Sequence, residues 1–150
     1  MDRIDRKLLN LMQRDASRTN VDMAEEVGLS PSSCLRRVQR LRKAGMIERI
    51  VAILNPARAG RVIKALVTVE LKLHGEQHMR RFLDRACAED AVTQAYAVTG
   101  ASDVVLMLRL KDMEEFDRLC DRLFRDETNV ARFVTMMVIR TAKEETAIPL

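Results

Sequence analysis

Residues 21–45, VDMAEEVGLSPSSCLRRVQRLRKAG, constrain the fold more than any other stretch, because their punctuation admits few local arrangements. A short helix with Met23, Ala24 and Val27 facing inward is expected to stop at Gly28, and Ser30 and Pro31 then open a second helix. Ser30 suits the N-cap, where a hydroxyl accepts a backbone N–H that the first turn leaves unpaired. Pro31 suits the first helical position, where its missing N–H costs nothing and its φ is already helical. Two short helices joined by a Gly-containing turn, the second rich in Arg, make a helix-turn-helix pattern.

The second helix can be phased at about 100° per residue. Cys34, Leu35, Val38 and Leu41 then form an apolar stripe, while Ser32, Ser33, Arg36, Arg40 and Lys43 lie opposite, with Arg37 on the flank. Small hydroxyl residues permit close approach to base edges, and Arg offers paired donors to guanine O6 and N7. A solvated basic face on an ordinary amphipathic helix would carry the same residues, so the rest of the chain has to decide between the two.

Charge separates the two halves. Residues 1–60 hold 12 Lys/Arg against 7 Asp/Glu, whereas residues 61–150 hold 14 against 15. A basic module beside a near-neutral one suits phosphate contact by the first. No apolar run approaches the length of a membrane span, and MDRIDRKLL lacks the layout of a secretory signal, so a cytoplasmic protein is expected. Cys34, Cys87 and Cys120 are odd in number, far apart and on the apolar sides of expected helices, which suits reduced core thiols.

Before the helix-turn-helix, residues 2–15 read as a helix with Ile4, Leu8, Leu9, Leu11 and Met12 inward, and Thr19 or Asn20 can cap its successor. After Gly45, residues 46–54 are rich in β-branched side chains and suggest a strand or short ribbon, a wing beside the second helix. Residues 57–61 are the expected hinge, dividing a domain 1–60 from a domain 61–150. The second domain repeats itself. Strands at 65–73 and 104–111 alternate apolar and polar residues, each leads into a helix (78–88 and 114–124), and each helix returns to a strand (92–98 and 130–140). Two such units joined by the turn 99–102 give βαββαβ, an α+β chain whose second domain is a ferredoxin-like sandwich. Both helices would cover one sheet face; Val105, Met107 and part of 133–139 would be left on the other. A bare apolar face favours self-association, against the alternative of a well-packed monomer.

The run Thr99, Gly100, Ala101, Ser102, Asp103 has a physical case as a ligand loop. Gly100 tolerates positive φ and leaves backbone N–H groups open to a carboxylate, and Asp103 can accept an ammonium group. An α-amino acid carries both charges in one small head, and Thr135 and Met137 of the last strand could wall the site. A hairpin turn using the same residues for backbone reasons is the alternative. His74 and His78 are split by Gly75 and have no completing ligands, so neither a metal nor a cofactor is expected. No nucleophile triad, phosphate-cradling loop or dinucleotide fingerprint is present, which argues against an enzyme.

Several runs together resemble the Lrp/AsnC family of transcription factors: the first-helix run 5–11, VGLSPSSCLRRV at 27–38, GMI at 45–47, LNP at 54–56, VTGASD at 98–103 and IPL at 148–150. The resemblance implies a winged DNA-binding domain, a ligand-binding βαββαβ domain, small amino-acid effectors, and homodimers that assemble into tetramers or octamers. On that footing Arg36, Arg40, Ser32 and Ser33 are expected to read major-groove edges of double-stranded DNA. Arg37, Lys43, Arg18, Thr19 and Asn20 are expected to hold phosphates. Arg42 stands where such proteins usually have Glu, Ile50 where an aromatic is common, and Val104 where an aromatic often follows the loop Asp. An effector-independent architectural DNA-binding protein and, through some relatives, a sirohaem decarboxylase are the alternatives.

Overall fold

The computed structural model describes residues 1–125 and 129–150. The chain forms two compact units, Met1–Ile53 together with Ala142–Leu150, and Leu54–Thr141. The first holds α1 (Arg3–Arg14), α2 (Asn20–Val27) and α3 (Pro31–Lys43). Each begins on a side-chain cap. Asp2 and Asp5 form a capping box on α1, Thr19 and Asp22 another on α2, and Ser30 caps α3 ahead of Pro31. Gly28 ends α2 at φ 70°, a left-handed conformation that needs a residue without Cβ, and its N–H bonds back to the carbonyls of Ala24 and Glu25.

Leu8, Met23, Ala24, Cys34 and Val38 form the core of this unit, with Ile4, Leu11, Met12 and Val27 packed against them. Leu35 departs from the expected stripe and is 41% exposed. The buried residues of α3 are Cys34, Val38 and Leu41, and Leu35 lies about a quarter-turn around from their centre. The expected wing strand does not form. Residues 47–55 belong to no helix or strand among the described residues, and Ile50, Val51, Ile53 and Leu54 are exposed. β-branched composition favours extended backbone, but a strand also needs a neighbour to take its N–H and C=O groups. The segment 142–150 joins this first unit, where the Gln13 amide donates to the Ile148 carbonyl at 3.1 Å and accepts the Ile148 N–H at 2.7 Å.

The second unit runs β1 (Ile63–Leu71), α4 (Glu76–Cys87), β2 (Val92–Ala97), β3 (Val104–Leu110), α5 (Met113–Cys120), a π-helical turn (Asp121–Arg125) and β4 (Val130–Met137). The sheet is antiparallel with order β2-β3-β1-β4, the ferredoxin-like arrangement. Register sets the two faces. Val67 faces Leu106 and Thr135 across the ladders, and Val69 faces Val104 and Phe133, on the side that both helices cover. Phe82 and Ala86 of α4 and Leu119 and Cys120 of α5 close that core, and Phe124 of the π-helical turn stacks on Phe133 with ring centroids 4.5 Å apart. Cys87 is exposed rather than in the core, because it ends α4 one step beyond the Phe82 and Ala86 stripe. Burial pushes the Cys34 and Cys120 thiols up, away from the reactive thiolate.

On the other face Leu66 pairs with Met107 and Met136, and Thr68 with Val105 and Val134, with exposed Tyr96 opposite Val105 at the β2 edge. Leu66 and Tyr96 extend the open face beyond what alternation in β3 and β4 alone suggests. No helix is long and apolar enough to cross a membrane among the described residues.

Leu106, fully buried at the centre of β3, tests this core. Leu106→Ala should lower stability by about 2–5 kcal/mol through lost burial and the cavity left behind, measured as a shift in the urea midpoint.

Candidate nucleic-acid interface and ligand loop

α3 presents a cationic, hydroxyl-bearing side to solvent. Ser32, Arg36, Gln39, Arg40 and Lys43 are exposed along it, with Ser33 half-buried at its edge. The serines are linked. The Ser30 hydroxyl donates to Ser33 Oγ at 2.9 Å and lies 3.2 Å from Ser32 Oγ, while Arg36 Nη2 donates to Ser33 Oγ at 3.2 Å. Ser33 and Arg36 line an open hollow of about 350 Å³ together with Leu29, Arg37 and Arg40. Three guanidiniums around a hydroxyl suit a phosphate oxygen or a base edge. Arg36 has no carboxylate partner among the described residues.

Arg37 and Arg40 are held differently. Arg37 Nη1 donates to Asp2 at 2.6 Å and to Asp5 at 2.9 Å, and Arg40 Nη2 donates to both Asp5 oxygens at 2.9 and 2.8 Å. Burial alone would raise the Asp5 carboxyl. The Asp2 backbone N–H, the Arg37 guanidinium and the Arg40 charge outweigh it and hold the group below the ordinary aspartate range. Asp2 is lowered from 3.8 to about 2, chiefly by the Asp5 backbone N–H it accepts and then by Arg37.

Of the expected phosphate contacts, Lys43 is exposed on α3, but Arg18 is paired with Glu26 at 2.7 Å. Thr19 spends its hydroxyl as the α2 cap, and Asn20 begins that helix half-buried. Two participants escaped the sequence reading. Gln39 falls on the cationic side at helical spacing and carries an amide that matches adenine N6 and N7. Asp5 gave no signal of burial, since a carboxylate in a first helical turn is ordinarily placed by the helix dipole.

The loop residues Thr99, Gly100, Ala101, Ser102 and Asp103 lie together between β2 and β3, with Gly100 at φ 123° and open space where a Cβ would stand. The loop is closed by the Val98 N–H on the Asp103 carbonyl at 2.9 Å and the Asp103 N–H on the Val69 carbonyl at 2.9 Å. Asp103 Oδ2 accepts the Leu71 N–H at 2.7 Å, and its Oδ1 lies 3.6 Å from His74 Nδ1. Thr135 and Met137 are not in this loop. They lie on β4, across β1, opposite Val67 and Ala65. The Thr135 hydroxyl is buried without a hydrogen-bond partner. No group of His, Cys, Asp and Glu suited to a metal occurs among the described residues.

Residues 1–42 match the family model of the AsnC-type helix-turn-helix domain, and residues 64–148 that of the Lrp/AsnC ligand binding domain. An uncharacterized HTH-type transcriptional regulator from Sinorhizobium fredii is 36% identical over all of this chain and 89% of its own length. The leucine-responsive regulatory protein of Rhizobium meliloti is 36% identical over 96% of this chain and 92% of its own. Among solved structures, an AsnC family transcriptional regulator from Agrobacterium tumefaciens matches with a TM-score of 0.93 at 28% identity, covering 99% of this chain and 97% of that one. A transcriptional regulator from Neisseria meningitidis, solved as a complex with L-Met, matches with a TM-score of 0.93 at 28% identity over 99% and 96%.

Asp2 and Asp5 both sit below their ordinary value of 3.8, Asp2 at about 2. Their stabilisation of the α1–α3 contact is therefore complete above about pH 4 and is lost as pH falls through the folded values. Acid titration should show the first unit loosening between about pH 4 and pH 2. Amide exchange of α1 and α3 reports the change, and Asp2→Asn should reduce it.

Proposed function

The chain belongs to the Lrp/AsnC family and is a transcriptional regulator of that type, and we propose that it reads operator DNA with α3 and responds to a small amino acid. Arg36 carries the reading of DNA. It is exposed at mid-helix beside Ser33, free of any carboxylate among the described residues, and flanked one turn on by Gln39 and Arg40. A guanidinium so placed can donate two parallel bonds to guanine, and Gln39 can do the same for adenine. Ser32 and Ser33 admit close approach. Lys43 supplies a phosphate contact directly, Arg18 and Arg37 would do so only by exchanging Glu26 and Asp2 for phosphate, and Thr19 and Asn20 follow Arg18 in the chain.

A single α3 reads one half-site. Two copies joined through the open sheet face would present two reading helices to half-sites about 34 Å apart. Leu66, Thr68, Val105, Met107, Val134 and Met136 support that contact, since they form a contiguous and largely apolar surface that water solvates poorly. Further assembly to tetramers or octamers is the step at which an effector would act, by binding one assembly more tightly than another. The loop Thr99–Asp103 is the proposed effector site, and Thr135 and Met137, which lie across β1 from it, are proposed as a separate wall on β4. Three observations support an amino acid there: the loop's exposed N–H-bearing turn, the Asp103 carboxylate, and the L-Met complex of the Neisseria relative.

Arg36→Ala should weaken binding to fragments selected from native genomic DNA by about 1–3 kcal/mol and relax preference at one base position. Anisotropy titrations with and without an amino-acid mixture measure both effects. Unchanged affinity and preference would refute the reading role, and a mixture without influence would favour an effector-independent architectural protein. For assembly, Met107→Glu should convert dimers to single subunits in sedimentation velocity while leaving far-ultraviolet circular dichroism intact.

A further inference from the structure

α3 carries Arg36, Arg37, Arg40, Arg42 and Lys43, yet two of these are not free charges. Asp5 is 2% exposed, the one buried charged residue among the described residues, and Arg37 and Arg40 both converge on it. The carboxylate accepts from Arg37 Nη1 at 2.9 Å, from Arg40 Nη2 at 2.9 and 2.8 Å, and from the Asp2 N–H at 3.1 Å. A buried carboxylate is tolerated only with such compensation. The side chains of the two arginines differ in exposure, 26% for Arg37 and 61% for Arg40. Arg40 is therefore anchored by one amino group while still lining the hollow it shares with Ser33 and Arg36.

We propose that Asp5, too buried to touch DNA, is a specificity-determining residue that acts through Arg37 and Arg40. The inference rests on the reading that α3 enters DNA. Sequence-independent binding comes from cations that displace counterions from phosphate, with about 0.9 in the logarithmic salt slope for each phosphate neutralised. A fixed carboxylate behind two arginines subtracts from that sequence-blind attraction and leaves Arg36 untouched. It also holds the Arg40 guanidinium at a set angle beside Arg36, so less ordering remains to be done at a matched site. Both effects widen the gap between specific and non-specific affinity.

A plain structural clip between α1 and α3 would behave differently on removal, weakening all DNA binding in proportion. Asp5→Asn keeps the size and an acceptor for the Asp2 N–H but removes the charge. The full chain is titrated by anisotropy, over a series of salt concentrations, against two duplexes. One is a genomic fragment selected by the wild type and the other a random-sequence duplex of equal length. Asp5→Asn should bind the random duplex more tightly, steepen its salt slope by about 1, and lower the specific-to-random ratio by about tenfold. Asp5→Glu, which restores the charge, should recover part of that ratio. An unchanged ratio and slope, or a proportionate loss on both duplexes, would overturn the proposal.

The double variant Asp5→Asn, Arg40→Gln, which removes both charges of the pair, gives an independent measure should Asp5→Asn melt below the assay temperature. With one charge of each sign removed, it should leave the random-duplex slope unaltered. A slope shallower by about 1 would mean that Arg40 had been a free counter-charge and would overturn the proposal. A wild-type chain that preferred no genomic fragment at all would overturn the DNA reading, and this inference with it.

Discussion

One carboxylate organises the DNA-binding unit. Asp5 closes the capping box that starts α1 and also receives two guanidiniums from α3, so helix initiation and helix-to-helix placement share the same atoms. The main apolar cluster of this unit is small, five buried residues with four more packed against them. Aliphatic contacts alone resist sliding and rotation weakly, because dispersion has little directional preference. Charge-assisted hydrogen bonds at 2.6–2.9 Å are directional. They fix which side of α3 turns outward, and that orientation puts Arg36, Gln39 and Lys43 in solvent while Val38 and Leu41 stay inside.

The second unit solves a different problem with alternation. β1 and β3 send every second residue into the helix-covered core, and Ala65, Val67, Val69, Val104, Leu106, Leu108 and Leu110 are all fully buried there. The residues between them ought then to be polar if the sheet is to be wet on its other side, and several are not. Leu66, Val105, Met107, Val134 and Met136 are too apolar for a surface with no occupant. This pattern is the physical basis of the proposed contact between two copies, since a second sheet laid on these residues would take them out of water.

Most of this architecture was legible because it rests on local chemistry. Gly28, Ser30 and Pro31 mark a helix end, cap and start through rules that operate within four residues, and the strand alternation needs only a period of two. What could not be read was non-local. Residues 46–54 carry strand-forming side chains but have no ladder partner among the described residues, and composition alone is silent on partners. Cys87 and Leu35 sit at the margins of apolar stripes, where one step of about 100° decides burial. The fate of residues 142–150 depends on the Gln13 amide contact with the main chain of Ile148, which no spacing announces. The same limitation applies to the site. The exposure of Arg36 was evident from helical phase, whereas the capture of Arg37 and Arg40 required knowing that residue 5 approaches residues 37 and 40 in space.

Asp103 shows why a plausible ligand residue and a structural one need not be rivals. β1 runs past the point where β3 begins, so the Leu71 N–H has no main-chain carbonyl opposite it, and Asp103 Oδ2 stands in for that acceptor at 2.7 Å. The bond fixes the carboxylate's orientation and leaves Oδ1 facing His74. An ammonium group arriving at Oδ1 would meet a preoriented partner without unpairing the sheet, which lowers the ordering cost of binding. Truncating Asp103 would then remove a sheet acceptor and a ligand contact together, and a lost response could be assigned to neither. Thr135, across β1 from the loop, tests the separate part of the proposal, that β4 contributes to the site. Its buried hydroxyl has no partner to lose, so Thr135→Val removes a potential ligand contact while relieving, rather than creating, an unsatisfied polar atom.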